Sequence, residues 1–239
     1  MKKLIIPILG LLLAGTAFGQ SFQSEIAGAL NLHEMAKTPA EQLKGLESME
    51  ALTKKYPKEW LPNFWAAYQC TQMNMLKGKE NYPAHLDPAE LLDRSEKYLG
   101  TARALAKAEV TDHLNSDFHA LQSLIYDFRQ GSARDKDSAT KLKALSDKER
   151  KKALALSPDS PVMKVFVATE IGRKTEATYA ELVAAIQLMK QAKETFDRQP
   201  VRAMTTSFNQ EWIPFWLPWL DGKLKKIIVG DDKTAATEN

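Results

Sequence analysis

A single cysteine in 239 residues excludes an internal disulfide. Cys70 stands in Trp65-Ala66-Ala67-Tyr68-Gln69-Cys70, an apolar helical stretch, and reads as a small buried hydrophobe rather than a reactive thiol. An excess of one charge sign is also missing. Thirty-three Lys and Arg face 30 Asp and Glu. Setting aside Lys2 and Lys3, which fall in a leader described below, leaves a balance of about +1, so nucleic acid is not an expected partner. Past the leader no stretch is free enough of charge to cross a bilayer, which takes about 20 apolar residues. Sustained apolar–polar alternation, the mark of a half-buried strand, is absent; the best strand candidate, Ile227-Ile228-Val229, is too short. There is no Gly-rich phosphate loop, no His-Glu-x-x-His and no Gly-x-Ser-x-Gly. Of the four histidines, His33, His85, His113 and His119, only His113 has an acid one helical turn away, Asp117, and two ligands without a third do not make a zinc site. No metal, cofactor or catalytic residue is therefore expected.

What is present starts with an address. Lys2-Lys3, the apolar run Leu4 to Ala14 and the small residues of Ala17-Phe18-Gly19 have the order of a secretory signal peptide. Cleavage is expected after Gly19, giving an exported protein, periplasmic or secreted. The remainder reads as helix, because apolar residues recur at spacings of three and four, as in Leu114, Phe118, Leu121, Ile125 and Phe128. Thr38-Pro39 with Glu41 and Asp87-Pro88 with Glu90 mark helix starts. Ser146 with Glu149 and Thr178 with Glu181 repeat the pattern without Pro. The expected helices are 22–36, 39–55, 60–76, 88–107, 112–129, 139–156, 161–172 and 178–197, with a broken segment near 207–227. The expected organisation is a leader at 1–19, a helical domain at 20–229 and a disordered polar tail at 230–239.

Two stretches repeat. Glu59-Trp60-Leu61-Pro62-Asn63-Phe64-Trp65 resembles Glu211-Trp212-Ile213-Pro214-Phe215-Trp216, and a unit of about 50 residues relates them. Lys152-Ala153-Leu154-Ala155-Leu156-Ser157-Pro158 looks like the second-helix end of the tetratricopeptide repeat (TPR) family. Ala185, Met189 and Ala192, then Ser95, Leu99 and Ala102, and more loosely Gly45, Met49 and Leu52, match its small-bulky-small pattern. The likeness covers roughly 39–200. The chain departs from the family's 34-residue unit through loops at 77–87 and 130–138, and it lacks most of the Trp, Gly and Tyr landmarks. The resemblance implies an all-α fold: antiparallel helix pairs stacked as a short TPR-like right-handed solenoid, here with an aromatic C-terminal cap. It also implies a concave face lined by first helices that binds a protein or peptide, and the family register places Tyr68, Gln72, Gln122, Thr169 and Arg173 there.

The cap would be Trp212, Phe215, Trp216 and Trp219, folded onto Leu182, Ile186 and Met189. Lys223, Lys225 and Lys226 follow, but Pro214 and Pro218 argue against the continuous amphipathic helix that membrane-surface binding needs, so membrane contact is not expected. The rival to a non-enzymatic scaffold is an exported helical enzyme acting, for example, on the cell envelope. Gly45-Leu46-Glu47-Ser48 superficially resembles the Glu-Ser pair of lytic transglycosylases, although a Glu in a Lys-rich helix lacks the apolar pocket that a general acid needs.

Overall fold

The computed structural model describes residues 21–198, 208 and 210–235; the leader lies outside them. Among these residues there are helices and no strands. They are α1 (21–34), α2 (Pro39–Lys55), α3 (Trp60–Met75), α4 (Pro88–Leu105), α5 (Asp112–Gly131), α6 (Lys136–Leu156), α7 (Pro161–Arg173), α8 (Tyr179–Arg198) and α9 (Ile213–Ala235). Single 3₁₀ turns sit at Ala106–Ala108 and Gln210–Trp212. The chain is thus all-α, with neighbouring helices packed in pairs.

Local chemistry sets the starts. The Thr38 hydroxyl accepts from Glu41 N at 3.2 Å while the Glu41 carboxylate accepts from Thr38 N at 3.2 Å, so two orphan donors of α2 are satisfied reciprocally. Asp87 accepts from Ala89 N at 2.8 Å. Thr178 and Glu181 complete a second box. There the Lys174 ammonium and the Thr178 amide hold the Glu181 carboxyl down to about 2. The Ser146–Glu149 pattern is different: it opens nothing. α6 is one helix, started by Asp135, which accepts from Ser138 N at 2.7 Å. Ser146 lies buried in its middle, where its hydroxyl donates to Asp127 at 2.5 Å. The polar centre of α6 is not a break; it faces a part-buried charge network of Asp127, Arg150 and Glu170.

The chain forms two compact units. The first holds α1 to α4 with residues 128–139. Here α1 and α2 are antiparallel, since Glu25 meets Lys55 and Tyr56 while His33 donates to the Gln42 carbonyl at 3.0 Å. α3 and α4 are antiparallel too: Asn74 bonds the Pro88 carbonyl, and Ser95 donates to Ala67 O at 2.7 Å. Leu43, Leu46, Cys70, Met73 and Leu91 form its core, and burial pushes the Cys70 thiol up to about 12, which removes it as a nucleophile at neutral pH.

Small residues mark the closest approaches. A Cβ on Gly45 would lie 2.6 Å from the backbone N of His33, so α1 can seat on α2 only without one. Gly45→Ala should therefore lower stability by about 1–3 kcal/mol, the usual range for overpacking. Gly100, mid-helix in α4, has open space around it; Gly100→Ala should raise stability by up to about 1 kcal/mol through helix propensity alone. Urea melts of the two variants give opposite signs if the α1–α2 contact is as described.

The second unit holds residues 110–127 and 140–198, Phe208 and the C-terminal helix. α5 and α6 run antiparallel: Ser116 donates to Ala153 O at 2.8 Å, His119 lies 2.5 Å from Glu149, and Ser146 lies 3.0 Å from Ser123 O. α7 pairs with α8, and α9 packs on α8. Ala185, Met189 and Ala192 are all buried, as are Ser95, Leu99 and Ala102 in the first unit.

The C-terminal segment departs from the expected broken helix and disordered tail. α9 runs without interruption from Ile213 to Ala235, through Pro218, and Ile227, Ile228 and Val229 lie inside it. Pro214 falls in its first turn, where the missing N–H has no helical partner to lose. Pro218 forfeits one bond, to the carbonyl of Pro214 itself. Residues 236–239 lie outside the described residues.

Candidate functional site

The five expected groove residues do not share one environment. In the first unit, Tyr68 is 2 % exposed, edge-on to Trp65 at 5.8 Å. Gln72, one turn on, is half-buried. In the second unit Gln122 on α5 is half-buried and Thr169 on α7 is 2 % exposed, with its hydroxyl bonded to the Phe166 carbonyl at 2.8 Å. Tyr68 and Thr169 are therefore core side chains, a correction to the expected groove. α3 is buried around its whole circumference from Leu61 to Thr71, and the Thr169 hydroxyl is satisfied within its own helix. Arg173 alone is exposed.

Arg173 leads to the most distinctive surface of the second unit. Its guanidinium carbon sits 5.5 Å from the Trp216 ring centroid. Trp216 meets Phe215 edge-on at 5.7 Å and Trp219 edge-on at 5.1 Å, so three rings form a ladder along α9. The ladder is seated by Gly172: a Cβ there would lie 3.0 Å from Trp219 and 3.3 Å from Trp216. From α9, Lys223 donates to the Gly172 carbonyl at 2.9 Å and to the Lys174 carbonyl. Its ammonium thus satisfies the open carbonyls at the C-terminus of α7, where the helix dipole favours a cation, and lies 5.3 Å from the Trp219 ring.

The four rings of the expected cap divide: Trp212 is buried and Trp216 half-buried, while Phe215 and Trp219 are exposed. Trp212, Ile213 and Leu220 are buried, whereas Phe215 is 67 % and Trp219 41 % exposed. The helical repeat explains the split. Ile213 and Leu220, seven residues apart, share one face at 100° per residue; Phe215 falls about 150° from that face and Trp219, on its flank, about 110°. The outward stripe continues as Pro214, Pro218, Lys225 and Lys226, all exposed. Sequence reasoning missed Gly172 as the seat and Lys223 as the anchor. The signal available was the adjacency Gly172-Arg173-Lys174, whose partners lie about 50 residues on.

Two polar positions, His113 and Glu47, bear on acid–base chemistry. His113 Nδ1 lies 3.4 Å from Ser157 Oγ, and its Nε2 lies 3.9 Å from Asp117 Oδ2. Both exceed the reach of about 2.6–3.2 Å at which a general base engages a proton, although desolvation lowers the His113 pKa and so favours its neutral form. Glu47 is exposed on α2, outside any apolar pocket. Among the described residues no three of His, Cys, Asp and Glu gather to hold a metal ion, and no helix is long and apolar enough to cross a membrane. No protein-family model, curated protein or solved structure matches the chain.

Proposed function

We propose that the protein is an exported, non-enzymatic helical-repeat protein of TPR-like construction that binds a protein or peptide partner. The observation that carries this reading is the exposed Phe215–Trp216–Trp219 ladder with Arg173 stacked on it. Aromatic side chains and Arg are the residues that dominate binding energy at protein interfaces. A soluble protein gains nothing from leaving large rings in water unless something covers them. The buried small-bulky-small positions support the repeat-like helix packing, and the Lys2-to-Gly19 pattern supports export.

Two measurements test the reading. Intact-mass analysis of the exported protein should find a chain beginning at Gln20; a soluble exported form that retains Met1 would overturn the leader. Cross-linking and co-purification of the tagged chain from its own compartment should return one stoichiometric protein partner, and repeated failure to retain any would remove the scaffold reading.

A further inference from the structure

Resting on that reading, we infer that the outward stripe of α9 is a docking site for a short extended peptide segment that carries an apolar anchor followed by clustered carboxylates. The stripe has two chemically distinct ends. Phe215, Pro218 and Trp219 form an apolar end, and Lys225 and Lys226 form a basic end. Arg173, exposed on α7, stacks on Trp216 beside the apolar end. From Trp219 to Lys225 the helix rises about 9 Å, which an extended chain covers in about three residues. The occupant therefore has an aromatic or branched aliphatic side chain at one end and two or three Asp or Glu about three residues on. The order matches the charge: Lys225 and Lys226 are exposed while Asp221, one turn before Lys225, is half-buried, so carboxylates there meet an excess of cation.

A membrane surface is the other chemistry that takes Phe, Trp and Lys together, and the continuity of α9 through Pro218 removes the sequence-level objection to it. The geometry nonetheless favours a peptide. A helix that lies on a bilayer offers a wide apolar arc over several turns and free, mobile bases. Here the exposed apolar part covers little more than one turn, because Ile213 and Leu220 are buried. The rings are held edge to edge, and the Lys223 ammonium is engaged by the carbonyls of Gly172 and Lys174. Rings already held in place lower the ordering cost of binding a chain segment.

The test is fluorescence anisotropy of the full exported chain with a labelled nonapeptide carrying Leu-Phe three residues ahead of three glutamates. Saturable binding is expected with a blue shift of tryptophan emission. The Phe215→Ala/Trp219→Ala variant should weaken it at least about tenfold, as loss of interface anchors does. Lys225→Gln/Lys226→Gln should weaken it less and flatten its salt dependence. Phe215 and the two lysines face water while Trp219 packs on Gly172, so Phe215→Ala alone and Lys225→Gln/Lys226→Gln should melt as the wild type does, and Phe215→Ala alone should still weaken binding. A peptide with glutamines in place of the glutamates should bind at least about tenfold more weakly. Absence of binding by the wild type, equal binding by the Phe215→Ala/Trp219→Ala variant, or co-sedimentation with phosphatidylcholine–phosphatidylglycerol vesicles that this variant abolishes would each overturn the inference. A cross-linked partner that the variant retains as firmly as the wild type removes the α9 site yet leaves the binding function standing.

Discussion

Trp212→Ala should lower the stability of the second unit by about 3–5 kcal/mol, the range for truncating a buried aromatic. Trp212 is 7 % exposed and its ring lies 6.2 Å from that of Phe166, which also meets Phe208 at 6.2 Å. Removing the indole leaves a void in this three-ring cluster that α7, pinned by α8 and α9, is poorly placed to fill. For a chain of this size the loss corresponds to a fall in Tm of about 10 °C. Phe215, only three residues on, is the internal control: it faces water, and Phe215→Ala should shift Tm by no more than about 1–2 °C. Differential scanning fluorimetry of the two variants measures the contrast. Similar losses from both would mean that the ladder is structural and not a free surface.

Arg150→Met is the second variant with a large expected effect. Arg150 is 9 % exposed. Its guanidinium bonds Glu170, donates to Asp127 at 2.6 Å and to Ser146 at 3.3 Å, and lies 5.7 Å from the Phe166 ring. One side chain of α6 thus ties α5 to α7. Met preserves the apolar stem but leaves two carboxylates without their cation, and breaking a buried pair costs about 3–5 kcal/mol. The Glu170 side chain is 44 % exposed and can rehydrate, which places the expected loss near the low end, at about 3 kcal/mol. Arg150→Lys should recover little, because one ammonium cannot serve two carboxylates in the planar fork geometry. In urea denaturation the Arg150→Met/Asp127→Asn double variant should be more stable than the sum of the singles; strict additivity would remove the coupling.

The starts of α2, α3, α4, α5 and α7 agree with the boundaries read from the sequence, and this has a local cause. At α2 and α4 a capping side chain and a Pro in the first turn act within about three residues, so there the information is complete in a short window. The same locality identifies Cys70 as an inert core residue, since its neighbours in sequence are also apolar. By contrast Asp135, which caps α6, lies ahead of the expected start at 139, and Ser146 with Glu149 imitates a cap in the middle of the helix. Only the arrival of Asp127 from α5 makes a polar helix centre an interior one.

The sequence by itself determined the helical class, the starts of α2 to α5 and of α7, and the positions of the small residues, because spacing, capping and side-chain volume are properties of adjacent residues. The tertiary structure decided which faces water reaches. Tyr68 and Thr169 carry polar groups that suit a groove, yet α3 and α7 are enclosed by helices brought from elsewhere in the chain, and both residues are core. Phe215 and Trp219 carry the apolar surface that suits a core, yet the rotation of α9, set by the seat at Gly172 and the Lys223 anchor, turns them outward. Burial depends on contacts between elements about 50 residues apart, whose close approach no short window of sequence records.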